Sequence, residues 1–246
     1  RNTNTVTDLI DDMSIAITAV TTSEQTIAAT YDETSAVATM QTIVDELNFV
    51  LSFLETETSF GEDGAEDGGL TGDPFATALK RTIRDYTSTA ISGYGADDIY
   101  LSYFGVLTNL DGTLSLDTDT FSTYFNAYPD NFSAMTQSRA STDNSAVSAS
   151  ITGDYFTPGD FSLTLSSSVA SIQDSDGTSI TMTDTGTNYV ASSGNALGLN
   201  LSTTLSDTTA TVYMGMSLID IMSNYFDDIL QTNADIDDKL SLLKHF

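Results

Sequence analysis

The 246-residue chain has no cysteine, no tryptophan, one histidine and only 7 lysines and arginines together. Without cysteine there is no disulfide, no thiolate metal site and no cysteine nucleophile. The single histidine, His245, stands one position from the last residue, which argues against a Ser-His-Asp triad or a histidine-built metal centre. Its charge fits a helix C-terminus better. So few basic residues, against 35 acidic ones and a net charge of -28, exclude the Lys/Arg clusters that phosphate backbones require. An anionic membrane surface would repel such a chain too. No run of roughly 18 apolar residues occurs, so no transmembrane helix is expected, and no signal peptide is visible. The missing tryptophan weakens a sugar-stacking site. Nothing in the sequence selects one carboxylate pair for glycosidase chemistry.

What is present is 40% hydrophobic residues, enough for real cores, in one large domain or two small ones. The acidity is spread along the chain and acts on solubility and self-repulsion. Salt screens that repulsion, so a saline or extracellular setting fits, although an acidic source proteome would give the same composition. The chain opens at Arg1 and stops at Phe246 inside a periodic apolar run, so it is expected to be an internal piece of a longer protein.

The first 31 residues read as a short turn or helix at Thr5–Ile10 and then a hairpin, Met13–Val20 with Gln25–Tyr31, completing a sheet begun upstream. Asp32 is placed to cap a helix over Glu33–Thr56. Its apolar positions Val37, Met40, Val44, Leu47, Leu51 and Leu54 step by three and four, close to a 3.5-residue period. Ile43 and Val50 widen the stripe, and Phe49 and Phe53 form a second patch one turn apart on another face. Such a helix needs more than one neighbour. The acidic loop GEDGAEDGGLTGD at 61–73 invites a calcium reading through Glu62, Asp63, Glu66, Asp67 and Asp73. It lacks the spacing of a helix-loop-helix calcium site, and a solvated loop is the simpler account.

Asp73-Pro74 is a helix start, with a helix predicted to Ser92 and a face of Phe75, Leu79, Ile83, Tyr86 and Ala90. Lys80, Arg81 and Arg84 on this helix should pair with carboxylates. Strands are predicted at Tyr100–Val106 and Thr113–Leu116, then a helix from Asp117 or Thr118 to Tyr128, then a short turn through Met135. From Ser138 to Thr211 the composition turns to Ser, Thr, Gly and Asp in short β-patterned runs, with strands predicted at Ala146–Ile151, Phe161–Ser166, Val169–Gln173, Ser179–Thr183, Leu197–Leu201 and Thr209–Met214. Leu218, Met222, Tyr225 and Ile229 then mark a helix expected to pack back on Glu33–Thr56.

The expected fold class is α+β. A discontinuous helical stem (an antiparallel bundle or coiled-coil leg with a small β hairpin) carries an inserted antiparallel β domain. The expected divisions are 1–31, 32–140, 141–214 and 215–246. The seam and the return helix would pack the stem. Ile43, Phe49 and Phe53 are the candidate contacts to another subunit. The bland reading of the same stripe is the core of a monomeric bundle. No catalytic residue, cofactor or metal ligand is predicted.

Five stretches in order resemble one family. RNTNTVTDLIDDMSIAI, TIVDELNFVLSFLETETS, GLTGDPFATALKRTIRDY, YFGVLTNLDGTLSLDTDTF and VYMGMSLIDIMSNYFDDIL are similar to the C-terminal segment of the flagellar filament cap protein, or hook-associated protein type 2. DGTLSLD at Asp111–Asp117 is the most specific piece. Asp12 and Leu47 stand where the family has Gly and Tyr, and the β region after Ser138 is not in every member. The resemblance implies a non-enzymatic, exported, extracellular protein at the flagellum tip. It would form a ring-like homo-oligomer with helical legs, and its partners would be flagellin and the hook–filament junction proteins. It would prevent loss of exported flagellin and promote its insertion. The alternative is a secreted adhesin whose β domain binds a host or surface ligand.

Because each copy carries so much negative charge, association between copies should strengthen with salt. Sedimentation in about 0.02 M and about 0.5 M NaCl, across which the Debye length shrinks several-fold, should show larger species at high salt. Identical distributions would contradict this.

Overall fold

The computed structural model describes residues 5–6, 15–16, 31–61, 66–153, 156–186 and 188–228. The chain forms two compact units, Arg1–Asp32 and Glu33–Phe246. In the first, β1 (Thr5–Val6) pairs antiparallel with β2 (Ile15–Ala16), Thr5 facing Ala16 and Val6 facing Ile15. The turn or helix expected from Thr5 therefore opens as a strand. Residues 25–30 of the expected hairpin lie outside the described residues.

The second unit is α+β, and all its described strand pairings are antiparallel. Its first helix, α1 (Glu33–Thr58), buries Ala36, Met40, Val44, Leu47, Leu51 and Leu54. The seam begins one residue earlier than the sequence suggests: Ala36 is buried and Val37 only half-buried. Steps of four, four, three, four and three keep one face of a 3.6-residue helix inward. Thr39, Thr42, Thr56 and Thr58 donate their hydroxyls to carbonyls four residues back, which lets these poor helix formers sit in a long helix. The most apolar 18-residue window of α1 has a mean hydropathy of 1.2, enough by length and composition to resemble a membrane span. Its seam is instead packed in a protein core. Asp45 and Glu46 lie mid-helix, where a bilayer would penalise a charged side chain by about 2.5–3.5 kcal/mol.

α2 (Pro74–Asp85) starts as predicted, with the Asp73 carboxylate accepting from the N–H groups of Phe75 (2.7 Å) and Ala76 (3.1 Å). It ends well before Ser92. The hydroxyls of Thr87, Ser88 and Thr89 turn back on the carbonyls of Arg84 and Asp85 and give the backbone an alternative to further helix. The chain then bridges Ile91 to Ile99. The buried face of α2 is Ala76, Leu79 and Ile83, while Phe75 is exposed.

The strand expected from Tyr100 is a 3-10 turn, Leu101–Phe104, closed by the Gly105 N–H on the carbonyls of Leu101 and Ser102. Only β3 (Val106–Thr108) is extended, paired with β4 (Leu114–Leu116). α3 (Thr118–Ala127) follows, capped by Asp117. A 3-10 turn at Pro129–Phe132 then leads into α4 (Ser133–Thr136). Phe104, Phe121, Phe125 and Phe132 pack ring against ring with centroids 5.6–5.8 Å apart, in the range of favourable aromatic contact.

Among the described residues nine strands follow: β5 (Arg139–Thr142), β6 (Val147–Ile151), β7 (Gly159–Ser166), β8 (Val169–Gln173), β9 (Ser179–Thr181), β10 (Thr183–Asp184), β11 (Tyr189–Val190), β12 (Leu199–Thr203) and β13 (Thr208–Gly215). They form a five-stranded sheet in the order β5-β13-β7-β8-β9 and a four-stranded sheet in the order β10-β11-β12-β6. On β7 burial alternates: Phe161, Leu163 and Leu165 face in, as a half-buried antiparallel strand requires. Buried residues of both sheets form a core of their own, separate from the helical one. The last helix, α5, is described over residues 218–228.

The β-rich segment joins the helices where its first strand, β5, pairs with its last, β13: Arg139 faces Gly215. Ser138 and Ser217 both donate their hydroxyls to the Asp220 carboxylate, and the Ser138 hydroxyl accepts from the Ser217 N–H at 2.8 Å. Tyr94 donates to the Gln137 carbonyl at 2.8 Å. Gly93 (φ +83°) lies against the Met214 backbone, and a Cβ at Gly215 would collide with the Tyr94 ring.

Gly93→Ala adds left-handed strain and a backbone clash and should cost about 3 kcal/mol. Gly153 has a similar φ of +94° with nothing near its missing Cβ, so Gly153→Ala should cost only about 1 kcal/mol. Urea unfolding of both variants checks the difference. Equal losses would mean that the close approach at Gly93 does not matter.

Candidate interaction surface

Helical geometry divides α1 into two sides. A step of two residues rotates the helix by about 200°, so Phe49 and Phe53 point away from Leu47 and Leu51. The exposures agree: Phe49 is 71% and Phe53 56% exposed, while Leu47 and Leu51 are 4% and 3%. Ile43 is half-buried on the flank. Met40, Val44, Leu47, Leu51 and Leu54 share one core cluster with Leu218, and Met222 and Tyr225 pack against it. Ile229 lies outside the described residues.

α1 and α5 leave a groove of about 360 Å³ between them, lined by Ile43, Leu47, Ile219, Met222 and Phe226 with Thr42, Glu46 and Ser223. Ile219 and Phe226 are the members that sequence reasoning missed. Their apolar character was legible, but their place beside Ile43 needs the pairing of two distant helices. Phe49 and Phe53 are not among the side chains that line this groove. Acidic side chains border it, Asp45 and Glu46 being exposed.

The most specific motif of the sequence, Asp111–Asp117, has a structural role. The Asp111 carboxylate accepts from the Thr113 N–H (3.0 Å) and hydroxyl (2.7 Å). These hydrogen bonds to the charged form hold its pKa below the usual carboxylate value. Asp117 accepts from the N–H groups of Thr120 (3.0 Å) and Asp119 (3.1 Å), again with a lowered pKa. Between them, Asn48 of α1 clamps the Leu114 backbone from both sides: its amide donates to the carbonyl at 2.8 Å and its oxygen accepts from the N–H at 2.7 Å. Arg84 Nε donates to the Gly112 carbonyl at 2.9 Å. Asn48 also escaped sequence reasoning. The available signal was a poor helix former set between apolar residues in mid-helix.

The basic residues of α2 find carboxylates as expected. Lys80 reaches Glu55 at 3.0 Å, Arg84 reaches the same carboxylate at 4.0 Å, and Arg81 pairs with Asp85 at 3.5 Å. In the acidic loop, Asp67 accepts from the Gly61 N–H at 2.7 Å and Asp73 is occupied as a helix cap. Glu62 and Asp63 lie outside the described residues, as does His245. Among the described residues no group of three or more His, Cys, Asp or Glu side chains is placed to hold a metal ion.

Residues 1–224 match the family described as flagellar hook-associated protein 2 C-terminus. The chain belongs to this family. No curated protein and no solved structure matches it. The match spans α1, the Asn48 clip, the β-rich segment and the start of α5. As a flagellar hook-associated protein, it is a structural component of the flagellum, an exported and extracellular organelle.

Asn48→Ala removes both bonds to Leu114 and leaves a partly buried backbone pair unsatisfied, which should cost about 1–3 kcal/mol. Urea unfolding gives the number, and a loss below about 0.3 kcal/mol, well under one net hydrogen bond, would show that the clip is incidental.

Proposed function

We propose that this chain is the distal part of a subunit that caps the growing flagellar filament, retaining exported flagellin and promoting its insertion. Its helical leg comprises α1, α2 and α5, and β5–β13 form an inserted domain standing on that leg. The observation that carries the reading beyond family membership is the pair Phe49 and Phe53, exposed on the side of α1 opposite its core. Folding of the chain alone gives no reason to keep two phenylalanines there. With Ile43 and the adjoining groove, they offer an apolar face to a neighbouring subunit in a ring-like homo-oligomer or to flagellin. Contacts of this kind can be made and exchanged as each flagellin enters. The hook–filament junction proteins are the partners at the start of growth, and the subunit works outside the cell at the filament tip. No chemical step is required.

The test is Phe49→Ser with Phe53→Ser in the full parent protein. Exposed substitutions should change unfolding free energy by less than about 0.5 kcal/mol each, while filaments shorten or vanish and flagellin appears in the medium. Normal filaments in the double variant would remove this surface from the mechanism. Normal filaments after deletion of the parent gene would sink the cap reading itself.

A further inference from the structure

On the side of the helical region formed by residues 94–131 lies a cleft of about 580 Å³. Its walls include tyrosines from three stretches: Tyr94, then Tyr100 and Tyr103 at the 3-10 turn, and Tyr124 and Tyr128 at the end of α3. Four of the rings run in series, Tyr100 to Tyr103 at 5.1 Å, Tyr103 to Tyr124 at 5.4 Å and Tyr124 to Tyr128 at 5.3 Å. Each contact is edge-on or tilted, with interplanar angles of 66°, 48° and 46°, so no two of these rings are stacked face to face. Tyr103 is 44% and Tyr128 57% exposed. Asp97 and Asp98 line the same cleft and are exposed, and among the described residues neither makes an ion pair.

An uncovered tyrosine face is a negative surface, and a cation seated on it is attracted by the ring quadrupole. The chain shows this contact on one wall, where the Arg139 guanidinium lies 5.4 Å from the centre of the Tyr94 ring. The field around the cleft has the same sign. Burial pushes the Tyr124 phenol up, the hydrogen bond from Asn131 lowers it in part, and the nearby Asp97 carboxylate opposes a second negative charge there. Burial and then Asp98 raise Asp160 likewise. A neutral glycan could stack on these rings but would gain nothing from that field, and an anion would be repelled.

We propose that the Tyr100–Tyr103–Tyr124–Tyr128 cleft, with Asp97 and Asp98, is a binding site for an organic cation: an ammonium or guanidinium group lying against the ring faces. The cation can be the side chain of a protein partner or a small free ammonium compound, and the chemistry that recognises both is the same.

Isothermal titration of the full chain with tetramethylammonium and with argininamide tests it, at constant ionic strength. The neutral isostere tert-butanol and a neutral disaccharide serve as controls. Saturable binding of either cation, absent for both neutral probes, is expected. Stronger binding of argininamide assigns the site to a protein side chain, and stronger binding of tetramethylammonium to a free ammonium compound. Tyr128→Ala and the pair Asp97→Asn/Asp98→Asn should each weaken binding about tenfold. These are exposed positions, so circular dichroism melting should be unchanged. No saturable binding of either cation, equal binding in the variants, or binding of the disaccharide in place of the cations would overturn the proposal.

Discussion

The inward face of α1, from Ala36 to Leu54, is the surface on which the helical region is organised. α2, β4 and α3 each lie against this helix, and its seam side chains are almost fully withdrawn from water. Removing a buried leucine or methionine from such a row costs about 2–5 kcal/mol, a large part of the net stability of a domain. Position along the row fixes what sits next to it. Asn48 follows Leu47 and so reaches the Leu114 backbone. Glu55 follows Leu54 and so meets both Lys80 and Arg84. The hairpin β3–β4, too small to be stable alone, is held by a helix that was already buried for other reasons. Because the core uses one side of α1, the opposite side is free to carry Phe49 and Phe53.

The second constraint is the join to the β-rich segment. Its two ends are neighbours in one sheet, and the residues on either side of the join form a closed set of bonds among Ser138, Ser217 and Asp220. Tyr94 and Gly93, from the loop after α2, press on the same place. A flexible hinge would show polar backbone open to water and few packed side chains. Here Ser217 is fully buried, and Met214, Met216 and Leu218 are buried around it. This explains why Glu33–Phe246 is one compact unit although it contains two hydrophobic clusters.

Much of this was legible in the residues, and what was missed has physical causes. The α1 period, the Asp73-Pro74 start, the Asp117 cap and most strands of the β-rich segment rest on local chemistry: spacing, caps and turn residues. β5 was missed because Arg-Ala-Ser-Thr shows no alternation and is a strand only by pairing with β13 some seventy residues on. β11 is two residues long and depends on β12 in the same way. The apolar spacing that predicts a longer α2 continues past Asp85, whereas side-chain hydroxyls end the helix there. For the candidate surface, Phe49 and Phe53 were visible because they fall on the wrong side of a clear seam. The groove partners Ile219 and Phe226 needed the pairing of α1 with α5. The tyrosine cleft was invisible because its walls come from separate stretches that only the fold brings together.

Charge decides how such a surface can work. Copies carrying -28 each repel at long range, and among the described residues Lys80, Arg81, Arg84 and Arg139 are already engaged within the chain. Ion pairs between identical copies therefore have few cations to use. Attraction has to come from apolar area. Covering the exposed parts of Phe49 and Phe53 removes roughly 200–250 Å² from water, worth about 5–6 kcal/mol, before the cost of association. That gain acts only at contact, whereas the repulsion reaches about a Debye length, ~8 Å at physiological salt and ~30 Å at 0.01 M. At physiological salt the repulsion is confined to nearly the same range as the apolar contact, and the contact can win. In dilute buffer the copies are held apart before the phenylalanines meet. A surface of this kind therefore gains its contact energy only between partners already brought close together, and more readily as ionic strength rises.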